Sequence, residues 1–213
     1  EAAFGRFQSL GLPNRRIEEW KYTDLRALMR DALPIAGTPD AAAKARAKEA
    51  GRLIGNGEMR RIVLVDGAFV PELSDLLDLS PGMSIVSMAQ ALAAGDPLLD
   101  RHLGQVVAPE GEGVVALNTA LMRDGVVIRV AKGATVERPI HLVFAATGQR
   151  PASVFTRSLV VVEERARAQQ DKPSWLLAAC KPAAAPSSMS KHIASKAPAV
   201  ASGRDCPQNV AKF

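Results

Sequence analysis

Gly125-Val-Val-Ile-Arg-Val130, Pro139-Ile-His-Leu-Val-Phe144 and Ser158-Leu-Val-Val-Val162 decide the fold class of this chain. Each is a short Val-rich run bounded by turn residues, at Asp124-Gly125, Lys132-Gly133, Arg138-Pro139 and Gly148 through Pro151. β-Branched side chains fit a pleated surface, whereas Gly, Pro and Asp interrupt it. Gly113-Val-Val-Ala-Leu-Asn118 has the same composition and reads as a further strand. Short strands at such spacing suit a sandwich, a barrel or a β-solenoid, and composition alone does not choose among them. Solenoid coils propagate by stacking, so they suit a chain that continues past its last residue.

Upstream of Pro109 the pattern becomes helical. Phe4, Phe7 and Leu10 recur at helical spacing and stop at Gly11. Leu25, Leu28, Met29 and Leu33 form a second stripe, closed by Pro34. Asp40 is placed to cap an Ala-rich helix running to Ala50. Asp96-Pro97 is a capping Asp followed by Pro at the first helical position, with Leu99 and Leu103 in line and Gly104 to end the helix. One β element interrupts this region: Arg61-Ile-Val-Leu-Val-Asp-Gly-Ala-Phe-Val70, two apolar runs around an Asp-Gly hairpin turn. The expected fold class is therefore α+β. A mainly helical domain with a small hairpin spans 1–108, strands span 109–168, and 169–213 forms a separate tail.

Composition bounds the function. With 47% hydrophobic and 23% charged residues the chain is an ordinary globular one, and at 4% aromatics its core rests on Val, Leu, Ile and Ala. Of the +5 net charge, +4 lies in residues 169–213, which hold six basic and two acidic side chains. The body is nearly neutral and offers no electrostatic footprint for nucleic acid. Ala, Ser and Pro supply 21 of the 45 tail residues, too little apolar surface to offset the entropy of ordering, so disorder is expected there. No apolar run reaches the ~18 residues that span a bilayer. The opening Glu-Ala-Ala-Phe-Gly-Arg-Phe lacks the pattern of a signal peptide, and Glu1 in place of Met points to a trimmed or incomplete start. Two cysteines, Cys180 and Cys206, have no zinc-like spacing even with His192 between them, and a reduced cytosolic compartment is expected.

Candidate chemistry is sparse. His141 in the Pro139–Phe144 run and His102 at the end of the Asp96–Leu103 helix are read as structural histidines. Glu137, Glu163 and Glu164 are the only acids in the second half of the strand region, and they form no obvious catalytic pair. There is no Ser-His-Asp arrangement and no Gly-rich phosphate loop. No residue is assigned a catalytic, cofactor-binding or metal-binding role.

One dense run carries more identity than chemistry: Gly11-Leu-Pro-Asn-Arg-Arg-Ile-Glu-Glu-Trp-Lys-Tyr-Thr-Asp-Leu25. It resembles the opening signature of the SufB/SufD family, β-helical scaffold subunits of an iron–sulfur cluster assembly machine, and the compact N-terminal segment favours the SufD branch. The likeness continues in order through Val65-Asp-Gly-Ala-Phe-Val-Pro-Glu-Leu73, Asp96-Pro-Leu98 with His102-Leu-Gly104, Leu117-Asn-Thr-Ala-Leu-Met-Arg-Asp-Gly125, Val136-Glu-Arg-Pro-Ile-His-Leu142 and Arg157-Ser-Leu-Val-Val-Val-Glu-Glu164. The resemblance, over about residues 4–168, implies a helical N-terminal domain followed by the first coils of a right-handed parallel β-helix. It also implies a non-enzymatic, cytoplasmic scaffold subunit of a SufBCD complex, with SufB and the ABC-type ATPase SufC as partners. The family places its cluster-handling residues late in the β-helix and its SufC contact in a C-terminal helical domain, so this chain alone is expected to bind no cofactor. After Ala168 the likeness ends; a shifted reading frame near Arg165–Gln169 and a natural basic tail are the two readings, and the coding DNA decides between them. Two alternatives belong to other classes: a β-solenoid enzyme acting on carbohydrate or transferring acyl groups, and a basic-tailed nucleic-acid binder.

Overall fold

The computed structural model describes residues 2–51, 58–104, 113–148, 151–168, 176–179 and 209–212. Six α-helices are found there: α1 (Ala2–Leu10), α2 (Leu25–Leu28), α3 (Ala41–Gly51), α4 (Met88–Ala94), α5 (Pro97–His102) and α6 (Gly113–Leu121). The strands are β1 (Arg60–Val65), β2 (Ala68–Phe69), β3 (Met83–Ser87), β4 (Val126–Val130), β5 (Thr135–Val136), β6 (Ile140–Ala146), β7 (Leu159–Val162), β8 (Arg167–Ala168), β9 (Leu176–Ala179) and β10 (Asn209–Lys212).

The strands form two four-stranded sheets, β2-β1-β6-β9 and β10-β7-β4-β3, and a two-stranded ribbon, β5-β8. Both larger sheets are mixed. β1 runs parallel to β6 from Arg60↔Ile140 to Val65↔Ala145, while β2 folds back antiparallel on β1. β3 pairs antiparallel with β4, β4 parallel with β7, and β7 antiparallel with β10.

This arrangement corrects the expectation of a right-handed parallel β-helix. The parallel pairs β4·β7, β5·β8 and β6·β9 extend a single step each. Antiparallel β2 closes one edge of the first sheet, and antiparallel β3 and β10 close both edges of the second; antiparallel edges end a stack of coils. The α+β class stands; no β-helix is built by the described residues.

The core lies between the two sheets. Ile62, Leu64 and Phe69 from one meet Met83, Ile85, Val126, Ile128 and Val130 from the other, with Val136 and Leu142 beside them. Ile62, Leu64 and Val126 are fully inaccessible, and each such side chain contributes about 1.5–3 kcal/mol relative to exposure. Helices cover the outer faces. Ala43 and Ala47 of α3 lie on Val63, Val65, Val143 and Ala145, where their small side chains let the helix approach closely. Met88 and Ala91 of α4 and Leu99 of α5 cover Val127, Leu159 and Val161.

Local chemistry explains most boundaries. The Asp40 carboxylate accepts from Ala43 N at 2.7 Å and starts α3. Asp96 accepts from Leu98 N at 2.9 Å, Pro97 takes the first turn of α5, and Gly104 lies just past the helix at φ +90°. Asp66 and Gly67 hold φ +48° and +88°, the two left-handed positions of a type I′ turn, and pair Val65 with Ala68.

Two elements differ from the sequence reading. Gly113–Leu121 is helix α6, not a strand: Gly113, Ala116 and Leu117 are its buried positions, an i, i+3, i+4 spacing that Val114-Val115 obscured. The Leu25–Leu33 stripe yields only one helical turn, and Leu28, Met29 and Leu33 remain exposed. Tyr22 is 74% exposed, with Lys21 Nζ 5.3 Å from its ring centre. The expectation of disorder over 169–213 falls outside the described residues apart from the short strands β9 and β10.

Candidate functional site

A cleft of about 530 Å³ opens between α5 and the ends of β4 and β7. It gathers three of the residues singled out in the sequence, His102, Glu163 and Glu164, with Arg129 and Lys132. Arg129 occupies the one exposed position of β4, and Glu163 follows directly on β7, whose register sets Val130 beside Val162. Arg129 Nε donates to Glu163 Oε1 at 2.7 Å. The other oxygen of Glu163 accepts from Lys132 N at 3.1 Å, and Lys132 Nζ donates to Glu164 Oε2 at 2.7 Å. The Asp96 carboxylate, also in the cleft, is occupied as the helix cap.

The electrostatics oppose acid catalysis. The hydrogen bond from Arg129, followed by that from Lys132 N, holds the Glu163 carboxyl below the usual glutamate range. A glycosidase acid needs the opposite shift. Glu164 raises the Lys132 ammonium in the same way, chiefly through their hydrogen bond. Glu137 lies apart, its backbone N–H 3.5 Å from Ser80 Oγ. The three acids therefore do not converge, and the pair that meets is neutralised by cations.

The sign of the pH effect follows. A carboxyl depressed in the folded state contributes stability above its unfolded value, and that contribution fades as pH falls through the folded one. Glu163 is solvent-screened, so the readout is its own titration. By NMR its midpoint is expected below the usual glutamate range, returning upward in Arg129→Met. An unchanged midpoint in that variant would remove Arg129 as the cause.

His141 is 5% exposed, and neither ring nitrogen has a hydrogen-bond partner. It shares a face of β6 with Val143 and Ala145, the face beneath α3. An unsatisfied buried polar group costs about 1–3 kcal/mol, whereas an apolar replacement of similar shape avoids that cost. His141→Leu is therefore expected to leave stability unchanged or raise it by about 1 kcal/mol in urea unfolding. A loss of 2 kcal/mol or more, on the order of a buried hydrogen bond, would mean that the imidazole holds a partner.

The structure also shows polar residues that the sequence reading passed over. Asp124 is a hub: Oδ2 accepts from Phe69 N at 2.9 Å, and Oδ1 from Ser87 Oγ at 2.8 Å and Ala89 N at 3.0 Å. It thereby ties β2 of one sheet to the β3–α4 junction of the other. It stands at a second cleft, of about 410 Å³, beneath residues 35–39. Arg60 is 2% exposed and donates to the carbonyls of Asp75, Leu77 and Asp78 at 2.5, 2.8 and 2.7 Å, fixing that loop. Arg157 is 6% exposed and donates to Thr119 Oγ1; burial lowers its pKa. The only sequence signal for Asp124 was its place before Gly125 in a turn. One of two adjacent arginines at the head of an apolar strand gives none for Arg60.

Cys180, His192 and Cys206 lie outside the described residues. Among the described residues no group of three or more His, Cys, Asp or Glu could hold a metal ion, and no helix is long and apolar enough to cross a membrane.

The described residues form a mixed-sheet body with ion-paired surface charge. Comparison with known proteins gives it a family. The family model described as the SufBD protein N-terminal region matches residues 1–142. The iron–sulfur cluster assembly SufBD family protein slr0076 of Synechocystis sp. is 34% identical over 163 residues, covering 75% of this chain and 34% of that protein. The SufBD family protein ABCI9 of Arabidopsis thaliana is 27% identical over 106 residues, covering 48% of this chain and 23% of the relative. The chain belongs to the SufB/SufD family. It spans about a third of the length of its cyanobacterial relative.

Proposed function

We propose that this chain acts in iron–sulfur cluster assembly as a non-enzymatic, cytoplasmic scaffold of SufD type, within a complex that contains SufB and the ATPase SufC. The family match over residues 1–142 carries the reading. The ion-paired cleft supports it, since Glu163 is held ionised by Arg129 rather than poised as an acid. The chain supplies shape and docking surface, and the cluster is cargo of the assembled complex. On this reading the chain alone holds no cluster, because cluster iron needs several converging thiolate or imidazole ligands.

Co-expression tests the partnership. The tagged chain is expected to retain SufB, and SufC through SufB, on size-exclusion chromatography and to alter the ATPase rate of the assembled SufC. Separate elution of all three, with an unchanged ATPase rate, would overturn membership of the complex.

A further inference from the structure

We infer that Asp66-Gly67 is a site of backbone modification, isomerisation of Asp66 to isoaspartate, and that the folded chain holds it in check through one residue, Thr147. Asp-Gly is the dipeptide in which this reaction meets least hindrance, because the attacking amide belongs to a residue with no side chain. The hairpin cannot dispense with that pair. Asp66 and Gly67 lie at φ +48° and +88°, and a Cβ on Gly67 would stand 2.6 Å from Val154 Cγ1. The turn therefore fixes a chemically labile pair at the lip of the cleft of about 410 Å³, which both residues line. Both are half-buried, so water reaches them.

The reaction needs only water. Gly67 N attacks Asp66 Cγ and bonds to it, and one carboxyl oxygen leaves as water, taking the amide proton. The resulting succinimide then takes up water at the main-chain carbonyl carbon of Asp66, and the bond from that carbon to Gly67 N breaks. The chain now runs through the side-chain carbon, one methylene longer, and the former main-chain carbonyl is a free carboxylate. Gly67 N enters no hydrogen bond among the described residues, so the nucleophile is available. The carboxyl is not. Oδ1 accepts from Thr147 N at 2.8 Å, and Oδ2 accepts from Thr147 Oγ1. Attack requires the carboxyl to turn its face to the nitrogen, which breaks these bonds. Thr147 itself is held just past β6 and is 7% exposed.

The only other Asp-Gly of the chain, Asp124-Gly125, shows why Asp66 is the vulnerable one. Asp124 is held by donors from three residues, Phe69 N, Ser87 Oγ and Ala89 N, and Gly125 packs on the Arg157 backbone. The Asp66 carboxyl depends on Thr147. Isomerisation there lengthens the turn between Val65 and Ala68, the pair that sets β2 on β1, and so displaces Phe69 from Asp124. The modified chain loses a tie between its two larger sheets. This inference does not depend on the role in iron–sulfur assembly.

The test incubates the chain for several weeks at neutral pH and digests it with trypsin. Electron-transfer fragmentation of the peptides carrying Asp66 and Asp124 then gives the isoaspartyl fraction at each. Thr147→Val removes the hydroxyl at nearly constant shape. It is expected to raise the rate at Asp66, relative to Asp124 in the same molecule, roughly fivefold or more, the factor that goes with one hydrogen bond of ordinary net strength. Thr147→Ser keeps the hydroxyl and is expected to match the parent. Should Thr147→Val melt early by circular dichroism, Thr147→Ala removes the same hydroxyl without the added methyl. An unchanged ratio of the two rates would overturn the proposal, since general opening of the fold accelerates both sites. Acceleration in Thr147→Ser as large as in Thr147→Val, or no isoaspartate at Asp66 in any variant, would overturn it as well.

Discussion

Gly125→Ala is expected to abolish cooperative folding of the sheet pair. A Cβ at this position would stand 1.9 Å from the carbonyl oxygen of Arg157 and 2.6 Å from its carbon. Those are backbone atoms in the turn that feeds β7, and they cannot swing aside as a side-chain tip could. The clash falls where Arg157 N donates to Asp124 O and Thr156 Oγ1 also reaches that oxygen, so separation breaks the β4·β7 junction at its start. A loss above about 4 kcal/mol is expected, beyond ordinary overpacking because backbone must move. Gly5→Ala is the internal control: its Cβ meets nothing within 4 Å, and Ala gains about 0.5–1 kcal/mol over Gly inside a helix. Circular-dichroism melting of the two variants reads the contrast. A Gly125→Ala protein melting within a few degrees of the parent would refute this packing.

Asp124→Ala is expected to cost about 3–5 kcal/mol, since three donors lose a charged acceptor and two of those bonds, from Phe69 N and Ser87 Oγ, are part-buried. Those donors are Phe69 N, Ala89 N and Ser87 Oγ, from opposite sheets. Asp124→Asn keeps one acceptor oxygen and is expected to fall between. Asp31→Ala, at an exposed position, is expected to stay within about 0.5 kcal/mol. Equal urea midpoints for Asp124→Ala and Asp31→Ala would show that Asp124 does not join the sheets.

The sequence was most legible where one residue dictates local geometry. Asp66-Gly67 demanded a tight hairpin, Asp40 and Asp96 named two helix starts, and the Val-rich runs at 126–130, 140–146 and 159–162 became strands. It was least legible where partners are distant. Nothing local says that Arg60–Val65 lies parallel to Ile140–Ala146, or that β3 closes β4 antiparallel, and those pairings replace the expected coil stack. Val114-Val115 mimicked a strand because β-branched residues are tolerated in a helix when Ala116 and Leu117 pack at helical spacing. The site was legible in part. His102, Glu163 and Glu164 do meet in one cleft, yet the cations that neutralise the acids come from β4 and the turn after it, more than thirty residues away in the chain.

The central claim is that this chain contributes a folded surface to cluster assembly rather than cluster ligands of its own. The direct measurement is anaerobic reconstitution with iron, sulfide and reductant, followed by desalting, on the chain alone and on the chain mixed with SufB. The account predicts no charge-transfer absorption and no stoichiometric iron on the chain alone, with cluster appearing only when SufB is present. A stable chromophore with stoichiometric iron on the isolated chain, lost in Cys180→Ser or Cys206→Ser, would contradict it.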